Sequence, residues 1–278
     1  PTFDEQQVRH DLSIVQSERN GELDNPWEYL GDIFEYMWFA PELGQDGIRG
    51  SMESIEKMKV ADLRKHHRRY YTSDNLTMVV AGDTRKSEEA FERLVERWRR
   101  GERQEIRSLK RGVERKAIKD IPYSNTYLMM GVPALPLGDP RMPILECIEI
   151  ILGGMGTKMS SSILAKANRE SGVGAYELET VNRIYPGSGY LAVKMGVIPK
   201  KTKAAIEMVK LAFDNFADTV TADHLAIAKG KLFDQLVALA SDPWEIAQQI
   251  GEMTAMGRRQ ILPHEQWEVI KEINLRDV

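Results

Sequence analysis

Cysteine is nearly absent from this sequence: Cys147 is the single one in 278 residues. No disulfide can close within the chain, so cysteine usage leaves the redox compartment undecided. Cys147 lies among Ile144, Ile148 and Ile151 at helical spacing, which predicts a buried core thiol. Long apolar runs are missing as well. No stretch reaches the ~18–20 residues needed to cross a bilayer as a helix, so no transmembrane segment is predicted. No signal-peptide pattern is visible, and the chain opens inside a helical pattern, so a processed or truncated product is expected. Charge of one sign is not in excess. Lys and Arg number 38 against 42 Asp and Glu, a net charge of -4, which gives no electrostatic case for nucleic acid as a partner. The one basic cluster, Lys65 to Arg69, is expected to be a solvated helix face. Histidine is sparse too: His10, His66, His67, His224 and His264. Neither His-Glu-x-x-His nor His-x-x-Glu-His occurs among them, so a complete catalytic zinc site is not expected in this chain. His66 and His67 are adjacent, and on a helix they diverge by about 100°, too far to share one ion.

What is present is ordinary for a globular protein: 42% hydrophobic and 29% charged residues. The length suits one large or two medium domains. Thr2 or Asp4 can cap a first helix running to about Glu22. Asn25 then caps a second helix with Pro26 at its first position. Trp27, Leu30, Ile33, Phe34 and Met37 give that helix an apolar face, and Trp38-Phe39 reads as core or interface packing. Residues 41–52 read as a loop, Val60 to Tyr71 as a helix, Leu76–Ala81 as a strand ending at Gly82-Asp83, and Ala90–Trp98 as a helix. Residues 101–112 are charged and aperiodic, the pattern of a linker. Beyond them, strands are predicted at Val113–Ile118 and Tyr123–Val132. One helix is predicted from Asp139-Pro140 to Gly153-Gly154, and another from Ser160 to Glu170, stopped by Gly172. Tyr176–Val181 and Gly189–Val197 read as an antiparallel pair. Helices follow at Lys201–Phe216, Ala222–Ala240 (capped by Thr221), Pro243–Met256 and His264–Glu272. Asp242-Pro243-Trp244 should start its helix with an apolar staple. Strand pairs interleaved with helix pairs predict an α+β fold rather than a doubly wound sheet.

Two constellations could bear chemistry. On the first helix Glu18 follows Asp11 by seven residues; taken as pattern alone, Glu18 is a solvent-exposed helix acid. The second runs Arg169-Glu170-Ser171-Gly172-Val173-Gly174-Ala175-Tyr176. Arg169 ends a helix, the glycines make a turn and Tyr176 starts a strand. A guanidinium and a phenol can both donate to developing negative charge. The plain alternative is an arginine that complements the helix dipole and a tyrosine in the core.

Taken in order, these segments resemble the M16 metallopeptidases: pitrilysin, insulin-degrading enzyme and the mitochondrial processing peptidase. The matching segments are Ser13-Ile14-Val15-Gln16-Ser17-Glu18-Arg19, Asp24-Asn25-Pro26, Tyr70-Tyr71-Thr72-Ser73-Asp74-Asn75, Met78-Val79-Val80-Ala81-Gly82-Asp83, Leu152-Gly153-Gly154, Ser160-Ser161-Ser162-Ile163-Leu164, and Arg169 to Tyr176. The resemblance covers nearly the whole chain. It implies two related α+β domains with mixed, largely antiparallel sheets covered by helices. Residues 1–100 would be the C-terminal part of the first, 101–112 the linker, and 113–278 the second without its last elements. By the same resemblance Glu18 is the third ligand of a zinc ion, and Asp11, one methylene shorter than the usual glutamate, supports it. Arg169 and Tyr176 contact substrate or the oxyanion. The two histidine ligands and the general base are missing, so the chain alone is expected to be inactive and metal-free, with Zn2+ in the full-length protein. The implied partners are a peptide substrate and a homologous M16 subunit or the chain's own missing half. Two functions follow from the resemblance: part of a zinc-dependent endopeptidase, or a non-catalytic subunit that binds substrate beside a catalytic partner.

Overall fold

The computed structural model describes residues 2–39, 50–84, 88–112, 116–119, 123–153 and 162–278, with only the backbone of Glu22, Leu23 and Glu88. In chain order the elements are α1 (Glu5–Leu23), α2 (Pro26–Phe39), α3 (Met52–Lys57), α4 (Val60–Tyr70) and α5 (Glu88–Glu96), then β1 (Thr126–Ala134), α6 (Met142–Leu152) and α7 (Ile163–Ser171). After these come β2 (Tyr176–Tyr185), β3 (Ser188–Val197), α8 (Thr202–Asp214), the short α9 (Phe216–Thr219), α10 (Ala222–Ser241), α11 (Pro243–Ala255) and α12 (Pro263–Glu272). The fold is α+β: an antiparallel sheet among many helices. No described helix is long and apolar enough to cross a membrane.

The chain divides into two compact units. The first comprises Pro1–Gly21, Arg49–Arg107 and Leu236–Pro263. Asp4 caps α1 by accepting from the Gln7 N–H at 3.0 Å. The Tyr70-to-Asn75 segment acts here as a polar clasp. Ser73 N–H donates to the Arg99 carbonyl at 2.9 Å, and the Asp74 carboxylate accepts from Gly101 N–H at 2.8 Å. Asn75 accepts from Gln104 N–H at 3.2 Å and donates to the Tyr70 carbonyl at 2.9 Å. The Gly101 bond holds the Asp74 carboxyl below the usual range, aided by nearby Arg100. Buried Thr72 lies so close to Gly101 that a Cβ there would come within 2.4 Å of its methyl.

Leu76–Ala81 is not a strand. A strand exists only through a hydrogen-bonded neighbour, and none of the described residues supplies one. Met78 and Val80 are exposed, so the period-two pattern is there without a ladder. The basic face of α4 is solvated, as its sequence predicts: Arg68 and Arg69 line open clefts. Trp244 starts α11 without a staple; Asp242 caps it, accepting from the Trp244 N–H at 2.8 Å, while the indole is 73% exposed.

The second unit comprises Glu22–Ile48, Ser108–Gln235 and His264–Val278. Its sheet has the order β1-β3-β2, antiparallel throughout. Central β3 is buried on both faces, as its near-continuous apolar sequence requires. One face carries Met129, Val181, Tyr190 and Ala192 and receives α2 through Phe34, Trp38 and Phe39. A Cβ on Gly131 would sit 2.9 Å from the Ala192 Cβ and 3.0 Å from Phe34 Cζ, so the helix lies against the sheet at a place cleared of side chains. Glu35, beside Phe34, accepts from the Tyr185 and Tyr190 hydroxyls at 2.8 and 3.1 Å. Burial and that carboxylate push both phenols well above the usual tyrosine range. Alternation sends Val193, Met195 and Val197 to the opposite face, all fully buried. There β2 is tied to the end of α6: Thr180 N–H donates to the Gly153 carbonyl and its hydroxyl to the Glu149 carbonyl, each at 3.1 Å.

Most predicted starts and stops hold. Asn25 accepts from the Trp27 N–H at 3.0 Å. Gly153 and Gly172 end their helices with φ of 148° and 62°. The helix expected from Asp139-Pro140 is regular only from Met142, although the Asp139 carboxylate accepts from the Arg141 N–H and guanidinium at 2.7–2.9 Å. That pairing lowers Asp139 to about 2. The strand expected at Val113–Ile118 falls partly outside the described residues, and Lys116 to Lys119 have no regular structure. Gly154, Gly156 and Met159 to Ser161 also lie outside them, as does most of the 41–52 loop.

Cys147 is fully buried in α6, its thiol pushed up to about 11 by desolvation and by Glu146. Glu146 itself is pushed up to about 7 by desolvation and by Glu149. A carboxyl whose folded pKa is raised binds more protons folded than unfolded between the ordinary value and the raised one. Its contribution therefore falls as pH rises from about 4.5 to about 7. The urea midpoint of the chain should drop across that window, and Glu146→Gln should flatten the drop. An equal slope in the variant would refute the assignment.

Candidate functional site

The predicted site residues fall into two groups, one in each unit, and each is described by itself. In the first unit Asp11 and Glu18 are exposed on α1. Seven residues make two turns less about 20°, so both carboxylates stand on one helix face with Ile14 and Val15 between them. Those two apolar side chains are also exposed, at 45% and 41%. Asp11 accepts from the Gln7 amide at 2.8 Å. The neighbouring Arg19 is buried.

A zinc ion needs three or four N, S or O ligands converging on one point. No three His, Cys, Asp or Glu side chains do so among the described residues. Three of the five histidines have other contacts. His66 packs on Tyr70 and His67 on Tyr71, with ring centroids 4.5 and 4.7 Å apart. His224 caps α10, accepting from the Thr221 N–H at 3.2 Å. The described residues thus do not fit a zinc ion by themselves.

In the second unit Arg169 and Tyr176 stand at the two ends of one tight connection. Arg169 is exposed in the last turn of α7, where it complements the helix dipole. Gly172 and Gly174 then turn the chain with φ of 62° and 70°. A Cβ at either would meet nothing within 4 Å, so conformation rather than space calls for glycine. The sequence does not announce the role of Asn168. Its side-chain amide donates to the Ala175 carbonyl and accepts from the Ala175 N–H, both at 2.9 Å. The side chain thus mimics a strand neighbour and holds the residue before Tyr176 against the helix that bears Arg169. Lys201 adds a bond to the Gly172 carbonyl at 3.1 Å.

Tyr176 is not a core residue; it is 36% exposed. It belongs to an aromatic cluster that sequence reasoning missed. Trp27, at the start of α2, packs edge-on against Tyr127 at 4.9 Å, and each ring lies 6.4 Å from Tyr176. Tyr123 closes on Tyr127 at 5.7 Å. Beside them the Lys194 ammonium pairs with Glu179 at 2.5 Å and lies 5.5 Å from the centre of the Trp27 ring. The Tyr176 phenol is pushed up to about 12, by desolvation first and by hydrogen bonding with Tyr127 second. At neutral pH it is therefore a donor. Such a cluster offers a neutral phenol and an apolar wall, suited to a neutral backbone carbonyl or an oxyanion. The missed residues come from three strands and a helix start; no sequence spacing links them.

Comparison with known proteins points one way. The family model described as "Peptidase M16 inactive domain" matches residues 57–232. The "Uncharacterized zinc protease YmxG" of Bacillus subtilis is 23% identical over 281 residues, 98% of this chain and 66% of that protein. The chain therefore spans less than two thirds of that relative. Among solved structures, the peptidase M16 inactive domain from Pseudomonas fluorescens superposes with a TM-score of 0.81 at 17% identity, covering 100% of this chain and 67% of the other. A protease from Helicobacter pylori gives 0.83 at 16% identity, covering 99% and 68%. These likenesses establish the shared fold.

Asn168→Ala should leave the chain folded and release the connection. Amide exchange at Ala175 and Tyr176 should rise at least tenfold, the loss of about 1.4 kcal/mol of local protection. Unchanged exchange would show that the glycines and strand pairing hold the turn without the clamp.

Proposed function

Because this chain belongs to the M16 peptidase family, we propose that it is the substrate-facing part of a zinc-dependent endopeptidase, with Arg169 and Tyr176 as its contacts to the peptide backbone. One observation carries the reading. The glycine turn and the Asn168 clamp fix these two donors at the ends of a single connection, with the tyrosine protonated and exposed. The peptide would lie extended beside the start of β2 at Tyr176, ahead of Thr180, whose main-chain N–H is already given to the Gly153 carbonyl, and exchange main-chain hydrogen bonds there.

In this reading the chemistry on the scissile bond is not performed by this chain. Glu18 is placed on an accessible helix face where it can serve as one metal ligand, with Asp11 behind it, but one carboxylate does not hold zinc. Histidine ligands and a general base must come from elsewhere, in the same polypeptide or in a homologous subunit. A purely binding, non-catalytic subunit is the second reading. It is favoured by the matched family model, which describes an inactive domain, and by the absence of any three-ligand group among the described residues.

Both readings place peptide on Arg169 and Tyr176, and a direct binding measurement tests them together. A fluorescent extended peptide should bind the chain, and Arg169→Ala and Tyr176→Phe should each weaken binding about tenfold, the worth of one hydrogen bond of ~1.4 kcal/mol. Full affinity in both variants would sink the assignment. Elemental analysis should find zinc far below one equivalent in this chain; a tightly held equivalent would overturn the division of labour. The coding sequence upstream of Pro1 would separate the readings: His-x-x-Glu-His there supports the endopeptidase, and its absence supports the binding subunit.

A further inference from the structure

Tyr176 sits where the β2–β3 ladder is irregular. It pairs with Gly196, and the next pair is Glu179 with Lys194, so β2 has one residue more than β3 over this stretch. The extra residue is accommodated at Glu177, which adopts φ of 48°, a conformation non-glycine side chains seldom take. A bulge of this kind bends its strand and re-aims the side chain beside it. The redirected ring does not stand upright on the sheet. A Cβ on Gly196 would lie 2.2 Å from Tyr176 Cζ, 2.5 Å from its hydroxyl oxygen and 2.6 Å from Cε2. The ring therefore lies across β3, over a residue with no side chain. Gly196 does not have a positive φ, so glycine is needed there for room alone. On the far side of Gly196 in the same row is Tyr127, its ring centroid 6.4 Å from that of Tyr176 and its phenol, after burial, a cause of the raised Tyr176 pKa. Asn125 lowers and the Glu177 carboxylate raises the pKa of the same phenol, each less than burial does.

We propose that Gly196, Tyr127 and the bulge at Glu177 are positioning residues for the Tyr176 phenol. The glycine opens the lane in which the ring lies, the bulge turns the ring into it, and the Tyr127 hydroxyl fixes its tip. Strain at a non-glycine residue persists only where its surroundings enforce it. Here the enforced conformation stands next to the one tyrosine at the turn. A donor held in advance need not be ordered when its acceptor arrives, which is the property a backbone or oxyanion contact requires. The use of that aim rests on the peptide-binding reading above; the aim itself does not.

The test uses the whole chain with 13C-labelled tyrosine ring carbons, the Tyr176 signal being assigned by its loss in Tyr176→Phe. In the unaltered chain the Tyr176 ring should show a nuclear Overhauser contact to the Gly196 α-protons. At pH 11 its phenol should remain mostly protonated while ordinary tyrosines, with pKa about 10, are mostly ionised. Gly196→Ala should abolish contact with residue 196 and bring Tyr176 down at least one pH unit toward the ordinary value. Tyr127→Phe should lower it too while keeping the contact. An unmoved Tyr176 signal in folded Gly196→Ala overturns the proposal. Should that variant fail to fold, an unmoved signal in Tyr127→Phe does the same. Peptide affinity provides the separate reading. Gly196→Ala should weaken it about tenfold, as Tyr176→Phe does, and the double variant should be no weaker than Tyr176→Phe alone. A moved signal with unchanged affinity supports the positioning and defeats the substrate role of Tyr176.

Discussion

The second unit hangs on the approach of Phe34 to Gly131. An aromatic helix face cannot come this near a sheet unless a strand position lacks a side chain, and Gly131 with Ala192 beside it supplies that space. Once Phe34 is seated, Trp38 stacks on it at 5.4 Å and both meet Tyr190. The depth of α2 then sets two further relationships. Glu35 reaches the hydroxyls of Tyr185 and Tyr190, and Trp27, two turns earlier, meets Tyr127 at the end of the sheet where Tyr176 lies. A packing decision in the core is thus felt at the candidate site.

The two faces of this sheet solve different problems. One receives α2 through small residues and gives the half-buried Glu35 carboxylate two phenol donors. The other is filled by Val193, Met195 and Val197 and is fastened to α6 by main-chain bonds from Thr180. Toward the site the first face becomes polar at the half-buried Lys194–Glu179 pair, and beyond it buried Gly196 is covered by the Tyr176 ring.

Local chemistry was the most legible part of the sequence. Asp4, Asn25 and Asp242 cap as their types predict, and Gly153 and Gly172 stop helices through conformations that other residues resist. The segments of β2 and β3 were legible as an antiparallel pair, and the family resemblance of Arg169 to Tyr176 drew attention to the turn. What escaped was whatever depends on a neighbour distant in sequence. Leu76–Ala81 has the composition of a strand but no partner among the described residues. Tyr127 and Gly196 matter to Tyr176 only because two registers place them in one row, and register is a property of the folded sheet. Asn168 looked like one more polar helix residue, because its partner is a backbone seven positions away.

Cys147 gives the chain a built-in clock. It is the sole thiol, fully enclosed by α6 and its neighbours, and its ionisation is displaced to about 11. Thiolate, not thiol, is the reactive species. At neutral pH a disulfide reagent therefore finds almost nothing to attack while the helix is in place. Each opening of that helix exposes a thiol of ordinary acidity, and the reagent records the event. The rate of labelling counts the excursions of the second unit from its native packing, one residue at a time, with no reporter added.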